Sequence, residues 1–253
     1  SAATSSDFIN TGGTLTLNVN AVNTLADTPG GNWINDALGM VGGVTGGTTI
    51  NLGAGTYAAG TSITKNNVTI DGGNRQAKIS VAAGQTGVTI DASNVTLEGL
   101  EIAGPVVGDQ ATITWSDNSW GVQVTHATNT NVTIDDNDIH NLRTGILIAN
   151  SGNPVSGAAS GSITNNVIED TKGGILVQYR DGSTFTISGN SQGQYGNEWG
   201  IVTGLQLAKI SSDPSSARQT QILNWANANN GMTVLDRQYA TGNRSAVIVD
   251  ATG

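Results

Sequence analysis

Three segments of this chain can be laid over one another: Val132-Thr133-Ile134-Asp135-Asp136-Asn137-Asp138-Ile139, Ser162-Ile163-Thr164-Asn165-Asn166-Val167-Ile168 and Thr186-Ile187-Ser188-Gly189-Asn190. Their leading isoleucines, Ile134, Ile163 and Ile187, stand 29 and 24 residues apart. A second motif keeps the same rhythm: Gly121-Val122-Gln123-Val124, Gly145-Ile146-Leu147-Ile148, Gly174-Ile175-Leu176-Val177 and Gly200-Ile201-Val202. Upstream, Val95 to Ile102 matches the Val132 segment, Asn67 to Gly72 begins an earlier copy, and Thr48 to Leu52 one earlier still. Apolar and polar residues alternate within each copy, which is the period of a strand with one face inward. A unit of this size, made of short strands and Asn/Gly turns, cannot bury its apolar face alone. Units stacked in parallel about 4.8 Å apart can. The repeat therefore predicts an all-β chain, a right-handed single-stranded parallel β-helix, with Ile134, Ile163 and Ile187 in one interior column.

Each buried isoleucine contributes about 1.5–3 kcal/mol, so such a stack needs no disulfide, and the chain has no cysteine. A β-sandwich would need longer strands joined by Asn-Gly or Asp-Gly hairpins, which are scarce here. A leucine-rich repeat would need its L-x-x-L-x-L pattern, which is absent. Asn137, Asn166 and Asn190 share one slot of the repeat. Two placements satisfy that spacing: an internal ladder bonding coil to coil, or surface turns.

Composition narrows the function classes. Only 11% of residues are charged, against a usual ~25%, while glycine reaches 35 residues. The net charge of −9 argues against nucleic acid as partner, because phosphates call for basic patches, and against anionic lipid. No apolar run approaches the ~18 residues of a membrane span. The Asn/Thr/Gly-rich, lysine-poor balance is that of bacterial exoproteins, so an extracellular or cell-surface location is expected. Residues 1–30 read as lead-in strands, with Leu15, Leu17 and Val19 alternating, 31–210 as the β-helix, and 211–253 as a C-terminal helix plus strands. Asn32 to Val41 reads as a short capping helix with Asn32 as N-cap and Trp33, Ala37, Leu38 and Val41 on one face. Asp213-Pro214 opens the second helix. Asn224-Trp225-Ala226-Asn227 with Gly231-Met232 echoes Asn32-Trp33-Ile34-Asn35 with Gly39-Met40, which suggests a related module restarting in a longer tandem protein.

The stretch Ile34–Gly72, with its helix, Gly46-Gly47-Thr48-Thr49-Ile50-Asn51-Leu52, Gly55-Thr56-Tyr57 and Val68-Thr69-Ile70-Asp71-Gly72, resembles the entry of pectate-lyase-like right-handed β-helix proteins. With the repeats, the resemblance covers roughly residues 30–205. It implies fold, since that scaffold hosts lyases, hydrolases, epimerases, phage tailspikes and adhesins alike. The motifs such enzymes would carry do not occur: no W-I-D-H segment of the lyases, no N-T-D, G-H-G or R-I-K of polygalacturonases, no Y-G-F-D-P-H of alginate epimerases.

Two stripes remain. Aligning the repeats stacks His140 on Glu169 and Arg143 on Lys172, with Asp135, Asp136, Asp138 and Asp170 nearby and Tyr179, Arg180 and Asp181 following. Uronate elimination would use basic groups to neutralise a substrate carboxylate and a base, His140 or Arg143, to take the α-proton, with Lys172 and Asp135 beside them. A solvated face with cross-coil ion pairs explains the same residues. Asp135, Asp136 and Asp138 could instead offer oxygens to Ca²⁺, in a spacing that matches no defined calcium loop. In the second stripe Trp120, Thr144, Gly173 and Trp199 each precede the repeated glycine, with Trp115 and Tyr179 close by. These aromatics could stack on sugar rings, or could cover the outer sheet beneath a loop. The expectation is a non-catalytic extracellular bacterial surface or adhesin-type module. It would contact a polysaccharide, a cell-surface glycan or further copies and domains of its own protein along one face, with no cofactor beyond a possible Ca²⁺. The alternative is a polysaccharide-active enzyme of the uronate lyase or epimerase type.

Overall fold

The computed structural model describes residues 14–19, 32–41, 46–105, 117–125, 129–148, 155–156, 159–178, 180–181, 184–191 and 197–204. The strands among them pair in parallel. One sheet of seven strands runs Leu15–Val19, Thr48–Leu52, Val68–Asp71, Val95–Glu98, Val132–Asp135, Ser160–Thr164, Thr184–Ser188, each pairing with the next in that order. We call it sheet A. A second sheet begins as two columns. One holds Gly55–Ala58, Ala77–Ser80 and Leu100–Ala103, and the other Thr61–Ile63, Thr86–Ile90 and Trp120–Val124. Both columns converge on the long strand Asp138–Ile148, which pairs onward with Val167–Gln178 and through it with Asn197–Gly204. We call the first column B and the second C. The chain thus visits A, B and C in turn, coil after coil, as in a parallel β-helix-like solenoid.

The predicted interior column is present. Ile50, Ile70, Leu97, Ile134, Ile163 and Ile187 are register partners in sequence and all are buried. Column B adds Tyr57, Ile79, Ile102, Ile139 and Ile168 in the same way. Together they form one continuous apolar core.

Corners are made by single residues in the left-handed region, which only Gly, Asn and Asp visit readily. Gly99, Asp136, Asn165 and Gly189 turn the chain from A to B, Asn141 and Asp170 from B to C, and Asn67, Asn94 and Asn131 from C back to A. The three last asparagines also bond side chain to side chain, Asn131 Nδ2 to Asn94 Oδ1 at 3.1 Å and Asn94 Nδ2 to Asn67 Oδ1 at 3.0 Å. The glycine after each of Thr86, Trp120 and Thr144 answers a different need. A Cβ on Gly121 would sit 2.5 Å from the carbonyl oxygen of Gly145 and 2.8 Å from Ile139 Cγ2, so successive coils touch backbone to backbone there.

The asparagine slot holds the internal ladder. Asn137, Asn166 and Asn190 are buried. Asn137 Nδ2 donates to Asn166 Oδ1 and Asn166 Nδ2 to Asn190 Oδ1, each at 2.9 Å. The same amides donate to the carbonyls of Leu97, Ile134 and Ile163. In earlier coils the slot is apolar, filled by Ala77 and Leu100, and Leu100 N donates to Asn137 Oδ1.

The helix spans Trp33–Met40, with Asn32 Oδ1 accepting from Asn35 N at 3.1 Å. Ile34, Ala37 and Leu38 are its buried face, so Ile34 joins the apolar face expected from the sequence, while Trp33 is only partly buried and sits edge-on to Tyr57. Its asparagines act as a surrogate strand. Asn32 Nδ2 donates to Ala59 O, Asn35 Nδ2 to Gly60 O, and Asn35 Oδ1 accepts from Ser62 N. Those groups border Thr61–Ile63, the outermost strand of column C, whose edge would otherwise invite another chain. The C-terminal helix and strands expected over 211–253, and the echo at Asn224–Met232, lie outside the described residues.

Candidate functional site

Sheet A presents its outward side chains in two straight columns. Thr16, Thr49, Thr69, Thr96, Thr133, Ser162 and Thr186 are register partners in order, and so are Asn18, Asn51, Asp71, Glu98, Asp135, Thr164 and Ser188. Strand alternation explains both: Val and Ile point inward at 68, 70, 95, 132 and 134, leaving the residues between them outside. All fourteen outward residues are at least partly exposed. The columns make a flat grid, about 4.8 Å between coils and about 6.6 Å along each strand. Ser162 Oγ donates to Thr133 Oγ1. Among the described residues, the hydroxyls of Thr16, Thr49, Thr69, Thr96 and Thr186 bond to no other group of the protein. Asp135 Oδ1 accepts from Thr164 and Asn165, and Asp71 Oδ1 from Gly73 N. Burial, then the neighbouring carboxylates of Asp71, Asp135 and Asp136, raise the proton affinity of Glu98.

Column B carries the charges read as one stripe in the sequence. His140 and Glu169 are register partners, as are Asp138 and Glu101, and Lys78 and Glu101. Lys78 Nζ lies 2.7 Å and His140 Nε2 3.2 Å from Glu101 Oε1. Burial alone would raise Glu101, but hydrogen bonds and charge from Lys78 and His140 outweigh it and hold that carboxyl below its usual range. Asp138 is shifted the other way, chiefly by burial, with His140 and Arg75 opposing. Its Oδ1 is buried without a hydrogen-bond partner.

Of the residues considered for elimination chemistry, Arg143 and Lys172 occupy equivalent positions between the pairs Leu142–Thr171 and Thr144–Gly173. Asp135 is elsewhere. The left-handed corner at Asp136 puts Asp135 on sheet A and His140 on column B, so the four do not form one cluster. The same corner divides the calcium candidates. Asp135 binds Thr164 and Asn165, Asp136 pairs with Arg75 at 2.7 Å, and Asp138 faces His140 and Glu101. Among the described residues, no three His, Cys, Asp or Glu side chains converge as a metal site requires.

Trp120, Thr144, Gly173 and Trp199 are register partners in the order read from the sequence. The Arg143 guanidinium lies 5.5 Å from the centre of the Trp120 ring, and burial lowers the proton affinity of Arg143 against the opposing pull of Asp117. Column C changes character along its length. Thr89 and Gln123 are partly exposed, but their register partners Leu147 and Leu176 are buried, as is Thr144. The lower half of this face is therefore covered. The run Gly145-Ile146-Leu147-Ile148 carried that signal, since unbroken apolar residues mark a strand buried on both sides. Trp115 and Tyr179 lie outside the described residues. The two-column grid on sheet A was missed because each of its residues, taken alone, is an ordinary outward strand position. Set against protein-family models, curated proteins and solved structures, this chain matches none.

Proposed function

We propose that this chain is a right-handed parallel β-helix of pectate-lyase-like type that serves as a non-catalytic, extracellular bacterial surface module, with sheet A as the face that contacts glycan. The right hand follows from the near-universal preference of crossover connections between parallel strands. The observation that carries the contact face is the seven-rung grid in which the hydroxyls of Thr16, Thr49, Thr69, Thr96 and Thr186 are uncommitted and stand beside a column of amides and carboxylates. Such groups can bond a polyhydroxylated chain laid along the stack, one sugar near each coil, with little side-chain ordering to lose. In support of a non-catalytic role, His140, one candidate base, is engaged with Glu101, and Asp135 stands on a different face from His140.

Co-sedimentation with a panel of insoluble polysaccharides tests this. Thr96→Tyr places a bulky ring in the middle of the grid and should abolish adsorption, while Thr89→Tyr on column C should leave it intact. Adsorption that survives Thr96→Tyr but is lost in Trp120→Ala would move the contact to the tryptophan face and refute the assignment to sheet A. Release of unsaturated uronate products, abolished by His140→Ala, would refute the non-catalytic reading.

A further inference from the structure

Resting on the assignment of sheet A as a glycan-contacting face, we infer that its ligand is a cationic, amino-sugar-bearing linear polysaccharide, matched in charge by the column Asp71, Glu98 and Asp135. These three carboxylates are consecutive register partners, so they stand about one coil spacing, ~4.8 Å, apart. Neither outward column of the sheet contains Lys or Arg. Arg75, at the A-to-B edge, is turned to the next corner, where it bonds Asp136 Oδ1 and the carbonyl oxygens of Asp136 and Asn165. Three like charges therefore face solvent in a line with no counter-charge in either outward column and, among the described residues, no ion pair of their own. Stacked like charges on adjacent strands destabilise one another, and a chain carrying one ammonium per sugar would relieve that repulsion while its hydroxyls meet Thr69, Thr96 and Thr133 in the next column. A uronate polymer would meet the reverse: carboxylate against carboxylate, with nothing basic on the face to offset it. A neutral polymer would gain the hydroxyl contacts alone. No aromatic side chain stands in either column, so recognition here is by hydrogen bond and charge rather than by ring stacking.

The test is titration calorimetry of the whole chain with a β-linked glucosamine oligomer, its fully N-acetylated counterpart, a uronate oligomer of equal length and a linear polyamine without sugar. The glucosamine oligomer should bind tightest and weaken as salt is raised. The N-acetylated form should bind about tenfold more weakly, the product of three exposed charge pairs lost, and the uronate oligomer should not bind. The triple variant Asp71→Asn, Glu98→Gln, Asp135→Asn removes the charge while keeping one acceptor oxygen at each position, and should lose the same factor toward the amine form alone. Its thermal midpoint verifies that it is folded, and the wild-type comparison needs no variant. Equal binding of the amine and acetylated oligomers, or a salt-independent affinity, overturns the charge assignment while leaving sheet A as a glycan face. Binding of the polyamine as tightly as the amino sugar overturns the glycan part. Failure to adsorb any polysaccharide in the sedimentation panel removes the reading beneath both.

Discussion

Asn166 carries the sharpest energetic claim of the fold. Its side chain is fully buried and makes four hydrogen bonds. Oδ1 accepts from Asn137 N at 3.0 Å and from Asn137 Nδ2 at 2.9 Å, while Nδ2 donates to Ile134 O and Asn190 Oδ1, both at 2.9 Å. Truncation to alanine removes all four. Asn137 Nδ2 still reaches Leu97 O, and Asn190 Oδ1 still receives Asn166 N, so those two atoms keep a partner. The backbone N–H of Asn137 and the side-chain contact to Ile134 O are lost without replacement in a place water cannot reach. At about 1–3 kcal/mol for each buried polar group left unsatisfied, and with the void itself adding to the cost, Asn166→Ala should destabilise the chain by about 3–5 kcal/mol. That is a large part of the ~5–15 kcal/mol that keeps a domain folded. Asn166→Asp should be no milder, because an oxygen replaces Nδ2 opposite two acceptors. Asn165→Gly is the control one residue away: Asn165 is exposed and left-handed, with φ of 55°, a conformation glycine adopts freely. Urea unfolding followed by far-ultraviolet circular dichroism measures each variant. A loss below about 1 kcal/mol in Asn166→Ala with an unchanged urea slope would refute the ladder as a structural element.

Four further outcomes follow from the same geometry. Gly121→Ala forces a Cβ to 2.5 Å from the Gly145 carbonyl and should cost several kcal/mol, about 3 or more by overpacking against backbone. Gly39→Ala, in the helix with nothing within 4 Å, should gain about 0.5–1 kcal/mol, and thermal melts compare the two. Arg75 is left-handed, with φ of 64°, yet staples neighbouring corners. Arg75→Ala loses the staple and keeps the backbone strain, so Arg75→Gly should melt higher than Arg75→Ala by a margin of about 1 kcal/mol. Asp138 has a raised pKa in the folded chain, caused first by burial, so the folded state holds its proton more tightly than the unfolded one. Its contribution to stability is therefore favourable at low pH and lost as pH rises from 3.8, the ordinary value, through the raised one. Asp138→Asn should raise stability at neutral pH and flatten stability against pH in that window; an unchanged pH profile would show that the carboxyl is not desolvated.

The coil register was legible because it is written in a local code. Alternation gives the inward set, and the intervals between Ile134, Ile163 and Ile187 give the stacking, so both the isoleucine column and the Trp120–Thr144–Gly173–Trp199 column emerge in the expected order. The asparagine slot was visible too, although its burial was not, since a turn asparagine looks the same inside or out until its neighbours are placed. The candidate site was much less legible. Asp135 and His140 are five residues apart and read as one stripe, but the single left-handed residue between them, Asp136, sends them to different faces. Arg75 bonds a corner 61 residues away, a distance at which no local pattern speaks. The outer burial of Leu147 and Leu176 likewise depends on what covers column C rather than on the strand itself.

The proposal of sheet A rather than the charged column as the contact face rests on what repetition does to side chains. A stack of parallel coils copies each outward position at a fixed spacing, so whatever stands there is either a ladder that satisfies itself or an array that faces outward unsatisfied. The asparagines at the C-to-A corner are of the first kind, amide to amide, and the Lys78–Glu101–His140 group closes on itself across coils. The threonine column differs because a hydroxyl on a flat strand is too short to span a coil spacing to its twin unless the rotamers cooperate, as they do only at Ser162 and Thr133. The carboxylate column differs because like charges cannot pair at all. Self-satisfaction thus accounts for those ladders and, within the second column of sheet A, for Asn18 with Asn51 and Asp135 with Thr164; it leaves the hydroxyls of Thr16, Thr49, Thr69, Thr96 and Thr186 and the charges of Asp71, Glu98 and Asp135 directed at solvent on one face. A partner that repeats on the scale of the coils can use that surplus many times over. Shortening the array should therefore lower affinity by multiplication rather than by steps of equal size, and a series of Thr→Val replacements added one rung at a time along Thr49, Thr69, Thr96 and Thr133 would reveal it as a linear fall in the logarithm of the binding constant; loss concentrated in one rung would instead mark an isolated pocket and defeat the array.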